Sequence, residues 1–258
     1  MAGKASILEN LGPLEQLPLT HVDEAARLAA EAFRESPWYN YIFQDLDENA
    51  RIEAMVWIFV RNIHLRLGAA RCIFHRPASK DPEMVCFFML QLPGTEPIGM
   101  WQMIRVGILK LPILFGMGAL RRMLEVMAHA DKIARDFREE CKAVGDETSF
   151  CMLERMVVKP RYQGTGVGSY GLRAGIAEAA ARGEGIFLTT QEERNVTFYS
   201  RLGFKEICFA PFPFQSGGGG APRPWESKVT HEMALFPPGS ARGQGPLGVR
   251  KTAKAAVS

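Results

Sequence analysis

Phe150-Cys-Met-Leu-Glu-Arg-Met-Val-Val158, followed by Lys-Pro160 and then Arg161-Tyr-Gln-Gly-Thr-Gly-Val-Gly168, is the stretch that decides the fold. Its first part is apolar apart from Glu154 and Arg155, which predicts a buried strand that Pro160 brings to a stop. The glycines that follow let the main chain approach a ligand and gather several N–H groups into a concave nest where a helix begins. Such a nest binds a pyrophosphate through unpaired N–H groups and the positive end of the helix dipole. The helix itself is expected from Gly166 to Arg182, ended by Gly183.

The glycine loop alone leaves three readings open. Gly166-x-Gly168-x-x-Gly171 fits the dinucleotide fingerprint, and a tight strand-to-helix turn needs glycines even with no ligand. Against the dinucleotide reading, the loop falls late in the chain. In addition, Thr189-Thr190, not Asp or Glu, ends the next strand.

Downstream, Ile186 to Thr190 reads as a strand, and Asn195-Val-Thr-Phe-Tyr199-Ser-Arg-Leu-Gly203 as a short helix closed by a glycine. Phe204 to Phe209 and Lys228 to Leu235 complete the expected strands. Val158-x-Pro160-x-x-Gln163-x-x-Gly166-x-Gly168 together with Asn195-x-x-Phe-Tyr199 resembles the paired coenzyme A motifs of the GCN5-related N-acetyltransferase (GNAT) superfamily. Within it the chain looks most like the branch holding puromycin-type antibiotic acetyltransferases, on the Ala-Phe33 helix end, the aromatics after it, the helical insertion and Asn195-x-x-Phe-Tyr199.

That resemblance implies an α/β fold: a central mixed, mostly antiparallel twisted sheet flanked by helices, splayed at the central strand, with a helical insertion before that strand. It implies acetyl-CoA as cosubstrate. Backbone groups of Met156, Val157 and Val158 would pair with the pantetheine amides, and Gln163, Gly164, Thr165, Gly166, Val167, Gly168 and Ser169 would hold the pyrophosphate. Asn195 would bond the pantetheine arm, and Tyr199, one helical turn on, would return a proton to the departing thiolate. Without the surrounding motif, Tyr199 reads first as an aromatic packed beside Phe198. Glu154, where similar enzymes carry an acceptor-facing acid, has two even readings: a base for the amine, or a structural ion-pair partner of an arginine. A water relay to the amine makes no dedicated base obligatory.

Upstream, residues 1–18 read as a loose arm and residues 19–236 as one acetyltransferase domain containing a helical insertion at 98–143. Thr20-His-Val-Asp23 predicts a capping box, and Asn49 a cap for the next helix. Trp38, Tyr39 and Tyr41 read either as a stacking surface for a ring-bearing substrate or as plain core. Met100 to Leu120 is apolar but broken by Arg105, Lys110, Pro112 and glycines, so buried or pocket-lining helices are expected instead of a membrane span. His75, His129 and His231 lack catalytic spacing, and residues 237–258 read as a disordered basic tail.

The 258 residues, 47% hydrophobic and 23% charged, support a real core without staples. A net charge of +3, much of it in the tail, argues against a nucleic-acid surface. Five scattered cysteines without ligand spacing and an N-terminus unlike a signal peptide predict reduced thiols, no metal site and a cytoplasmic protein. The expected partner is a small-molecule amine, with no nucleic acid and no membrane, in a monomer or homodimer. A protein or peptide N-acetyltransferase and a non-catalytic coenzyme A-binding module are the competing readings.

Overall fold

A computed structural model describes residues 7–78, 80–95, 100–215, 223–244 and 250–251. The described strands are β1 (Glu15–Gln16), β2 (Ala70–His75), β3 (Glu83–Gln91), β4 (Phe150–Val158), β5 (Gly185–Thr190), β6 (Lys205–Pro211), β7 (Val229–Leu235) and β8 (Arg250–Lys251). They form one sheet in the order β1-β2-β3-β4-β5-β7-β6-β8. Neighbours run antiparallel except the pairs β4–β5 and β6–β8. The expected mixed, mostly antiparallel sheet is therefore present.

The helices are α1 (Val22–Ala32), α2 (Pro37–Ile42), α3 (Glu48–Leu65), α4 (Met100–Arg105), α5 (Leu111–Ala143), α6 (Val167–Ala180), α7 (Glu193–Ser200) and α8 (Ala241–Gln244). Apolar spacing decides which face each covers. Ala25, Ala26 and Ala29 of α1 with Met55, Phe59 and Ile63 of α3 build the core on one side of the sheet, joined by Val157. Val167, Leu172 and Ala179 of α6 pack with Cys151, Leu153 and Leu188 on the other side. Gly171 brings α6 onto the sheet: a Cβ there would lie 3.0 Å from the Ile73 side chain. A third cluster joins Ile133, Phe137 and Cys141 of α5 to Phe187 and Ala234, with Phe137 stacked on Phe187 at 4.4 Å.

Several sequence expectations change at the ends of elements. No capping box forms: α1 starts at Val22, His21 makes no capping bond, and Thr20 Oγ1 instead meets His21 Nδ1 at 3.0 Å. The cap of α3 is Asp47, which accepts from the Ala50 N–H at 2.9 Å; Asn49 lies inside the helix. Residues 7–18 are pinned, not loose, because Gly12 N–H bonds Phe74 O at 2.8 Å and Leu17 is buried. The tail begins folded as well. Ser240 Oγ donates to Asp146 at 2.5 Å, and the Arg242 guanidinium meets Glu140 at 2.8 Å. Residues 245–249 and 252–258 of the expected tail lie outside the described residues. All five cysteines are buried thiols.

The largest departure is the insertion. It is helical, as expected, with a break in α5 at Gly116 (φ 85°, ψ 157°). Yet Trp101, Ile113 and Met117 are 79%, 83% and 68% exposed, where the sequence suggested buried or pocket-lining positions. Among the described residues, no helix is long and apolar enough to cross a membrane.

Candidate active site

Parallel pairing between β4 and β5 lasts only from Phe150↔Gly185 to Met152↔Phe187. Beyond Met152 the two strands part, so the β5-facing edge of β4 from Leu153 to Val158 has no ladder partner. Unpaired backbone at the centre of a sheet is costly unless something completes it. The main chain of Met156, Val157 and Val158, expected to pair with pantetheine, lies along this open edge.

The same strand carries a bulge. Phe87 faces Val157 and Met89 faces Glu154, so Phe88 stands opposite both Arg155 and Met156. Arg155 takes φ 53°, the one non-glycine with positive φ among the described residues, at a cost of about 1–2 kcal/mol. The extra residue lets two adjacent side chains share a face. Leu153, Met156 and Val158 lie with the α6 cluster, while Arg155 turns towards α2 and α3.

The loop after β4 is clamped by Glu83. Lys159 Nζ sits 2.7 Å from its carboxylate, Tyr162 OH donates to it at 2.8 Å, and Arg161 pairs with it too. Thr165 Oγ1 donates to Tyr162 O at 2.6 Å, and Gln163 Nε2 to Val158 O at 3.0 Å. Gly164 and Gly166 take φ 71° and 99°, which only glycine adopts without strain. The helical ladder of α6 begins with Tyr170 N–H to Gly166 O at 2.9 Å, leaving the amides of Val167, Gly168 and Ser169 ahead of it. Gly166, the N-cap, supplies no side-chain cap. The sequence reading expected an anion-binding nest here, and the helix starts without a side-chain cap.

Gly168 ties the loop to the reacting end. A Cβ there would lie 3.2 Å from Val158 and 3.6 Å from Phe198, so β4, α6 and α7 meet at this residue. Asn195 Nδ2 donates to Thr190 Oγ1 at 3.1 Å, fixing α7 to the end of β5. Tyr199 is buried between Phe198 and Phe204, with ring centroids 5.2 and 5.5 Å away. Burial pushes its pKa well above the usual phenol value.

Glu154 belongs to the other side. Its carboxylate meets the Arg155 guanidinium at 2.6 Å and Arg66 at 3.6 Å, while Arg155 also reaches Asn62 Oδ1 at 3.1 Å. Arg66 bonds Gln91. Burial raises the Tyr39 phenol, with the Arg155 guanidinium opposing it. Sequence reading missed this Arg66–Asn62–Arg155–Tyr39 network. No local signal marked it, because a regular strand places adjacent side chains on opposite faces.

Trp38, Tyr41, Phe212, Phe214 and Trp225 close the same side as one aromatic cluster, Tyr41 stacking on Phe214 at 4.7 Å. Tyr41 OH donates to Glu125 of α5 at 2.5 Å, and burial followed by that carboxylate lifts the phenol to about 12. His129 sits against Trp38 and Phe214, its pKa lowered by burial first and Lys132 second. His75 leans on Tyr162, and His231 Nδ1 lies 2.5 Å from Glu206. Among the described residues, no three His, Cys, Asp or Glu side chains converge as metal ligands.

Residues 126–206 match the family model described as acetyltransferase (GNAT) domain. No curated protein matches the sequence. Similar solved structures include a histone acetyltransferase HPA2 and related acetyltransferase from Corynebacterium glutamicum, at 19% identity and TM-score 0.55 over 87% of this chain and 96% of that one. A Drosophila melanogaster polyamine N-acetyltransferase that forms N-acetylagmatine aligns at 12% identity and TM-score 0.57, over 88% and 99%. An agmatine N-acetyltransferase aligns at 14% identity and TM-score 0.52, again over 88% and 99%. Such identities establish the fold. The chain carries an acetyltransferase (GNAT) domain over residues 126–206, set within a sheet and helices of the GNAT fold.

Proposed function

We propose that this protein transfers an acetyl group from acetyl-CoA to an amine of a small molecule. The observation that carries the reading is the convergence of three features at one place. They are the open edge of β4, the uncapped start of α6 and the Tyr199 phenol beside Phe198, which Gly168 brings against Val158. Each fits a different part of the cosubstrate: pantetheine amides, pyrophosphate and thioester sulfur.

Bound acetyl-CoA supplies a thioester whose acyl carbon an uncharged amine attacks. Amides of residues 164–169 would take the pyrophosphate, with Gln163 and Thr165 shaping the loop and Ser169 at its helical end. Main chain of Met156, Val157 and Val158 would pair with the pantetheine arm beside Asn195. Tyr199 would donate its proton to the sulfur as the C–S bond breaks; burial keeps that phenol protonated through neutral pH. The proton lost by the amine passes to water. Glu154, engaged by two guanidinium groups, is read as the anchor that holds Arg155 and Arg66 in the acceptor wall.

Two observations favour a small acceptor over a protein segment. The aromatic cluster of Trp38, Tyr41, Phe212, Phe214 and Trp225 crowds the acceptor side, where an extended peptide needs an open groove. Beside β4 the two guanidinium groups of Arg66 and Arg155 outnumber Glu154, and Glu125 in the aromatic cluster is engaged by Tyr41, which favours a monoamine with an apolar or ring-bearing body. That preference agrees with the puromycin-type likeness of the sequence. Thiol release from acetyl-CoA, measured over a panel of amines, is expected to favour aromatic monoamines over spermidine-like polyamines. Turnover on peptides alone would transfer the assignment to the protein-modifying class, and cosubstrate binding without turnover on any amine would leave a sensor module.

A further inference from the structure

The insertion builds a surface that acetyl transfer does not use. Between residues 98 and 127 the sequence holds one acid, Glu125, against four cations, Arg105, Lys110, Arg121 and Arg122, of which Arg122 is buried. Among the described residues, eight of the thirteen exposed large apolar side chains lie from Trp101 to Met127. The fold produces this arrangement directly. Ala119, Arg122 and Val126 turn α5 inward, with Arg122 buried against Asp45 and Ile42 O, so Met117, Arg121 and Leu124 must face out. Gly107 (φ 77°) and Gly116 (φ 85°) break the segment into short helical pieces, each presenting apolar side chains to solvent.

We propose that this face docks on an anionic phospholipid surface, lying in the interfacial plane. Charge argues for that occupant. Arg105 and Lys110 have no acidic partner among the described residues, and Arg121 only leans towards Glu125 at 3.8 Å. Cations interleaved with apolar tips match headgroup phosphates above acyl chains. Two copies related by a two-fold axis would instead bring the same cations together. Trp101, 79% exposed at the edge of the face, has the amphipathic ring that settles at such a boundary. The sequence reading expected no membrane contact, and that expectation rested on burying the insertion. The inference stands independently of the acetyl acceptor.

The test is co-sedimentation of the full chain with vesicles of phosphatidylcholine alone or of equal parts phosphatidylcholine and phosphatidylserine. Binding is expected to the anionic vesicles only, with a blue shift of tryptophan emission that Trp101→Phe removes. Ile113→Ser is expected to weaken partitioning about tenfold, and Lys110→Glu about tenfold as well. Both replace exposed side chains, and if Ile113→Ser melts early, Met117→Ser reads the same face. Absence of binding to the anionic vesicles, or equal binding to both kinds, overturns the proposal. So does concentration-dependent self-association that Ile113→Ser abolishes, which would assign the face to a second copy.

Discussion

The two sides of β4 are built in different ways. On the α6 and α7 side the site is main chain: an open strand edge, a glycine loop, a helix start and one tyrosine. On the α2, α3 and α5 side it is a mesh of side chains from distant segments, such as Asn62, Arg66, Glu154 and Arg155. On the proposed function, the backbone side would recognise what every acetyl-CoA shares and would tolerate side-chain change as long as the glycines remain. The side-chain mesh would recognise one acceptor and could be rewritten residue by residue. The difference predicts which perturbations alter chemistry and which alter packing or preference.

Removal of the Tyr199 hydroxyl should separate the two sides most strongly. Tyr199→Phe is expected to lower kcat about a hundredfold or more while leaving acetyl-CoA affinity and the KM for amine near wild type. An unchanged kcat would return Tyr199 to the role of a packed aromatic. On the other side, Glu154→Gln leaves Arg155 short of its anion. A loss of about 1–2 kcal/mol of stability is expected, discounted because the pair is partly exposed, with kcat within about threefold of wild type. Collapse of kcat at unchanged melting temperature would give Glu154 the role of base.

The smallest effect lies outside both halves. Burial acts to raise the Asp146 carboxyl, but hydrogen bonds from Ser240, Thr148 and the Arg242 amide outweigh it and hold the pKa at about 2, below the ordinary 3.8. A depressed folded pKa means the stabilisation is complete above 3.8 and is lost as pH falls through about 2. Amide exchange at residues 240–243 should therefore quicken across that window in wild type. Asp146→Asn should show the faster exchange already at neutral pH. Equal protection in both proteins would mean that Asp146 does not hold the tail.

The same contrast explains what could be read in advance. The strand Phe150 to Val158, the glycine turn with the helix after it and the short helix carrying Asn195 and Tyr199 were legible because they are local: apolar runs, turn glycines and one helical turn each leave a short-range trace. The order of the strands and the helical insertion followed from the same periodicities. The bulge at Arg155 was not legible, because the strand pattern gives no warning that residue 155 leaves the pleat. Nor was the exposure of Ile113 and Met117, since an apolar run looks alike whether it fills a core or faces outward. Caps also shifted, with Asp47 taking the place expected for Asn49, because polar residues two positions apart compete closely for one helix start.

The central claim is that the amides opening α6 hold the pyrophosphate, and Ser169→Asp tests it most directly. An acid in the first turn favours the helix dipole, so the variant should melt no lower than wild type. The same charge faces the phosphates, and calorimetric titration with acetyl-CoA should show affinity reduced about a hundredfold. Wild-type affinity in Ser169→Asp would contradict the account and place the cosubstrate elsewhere.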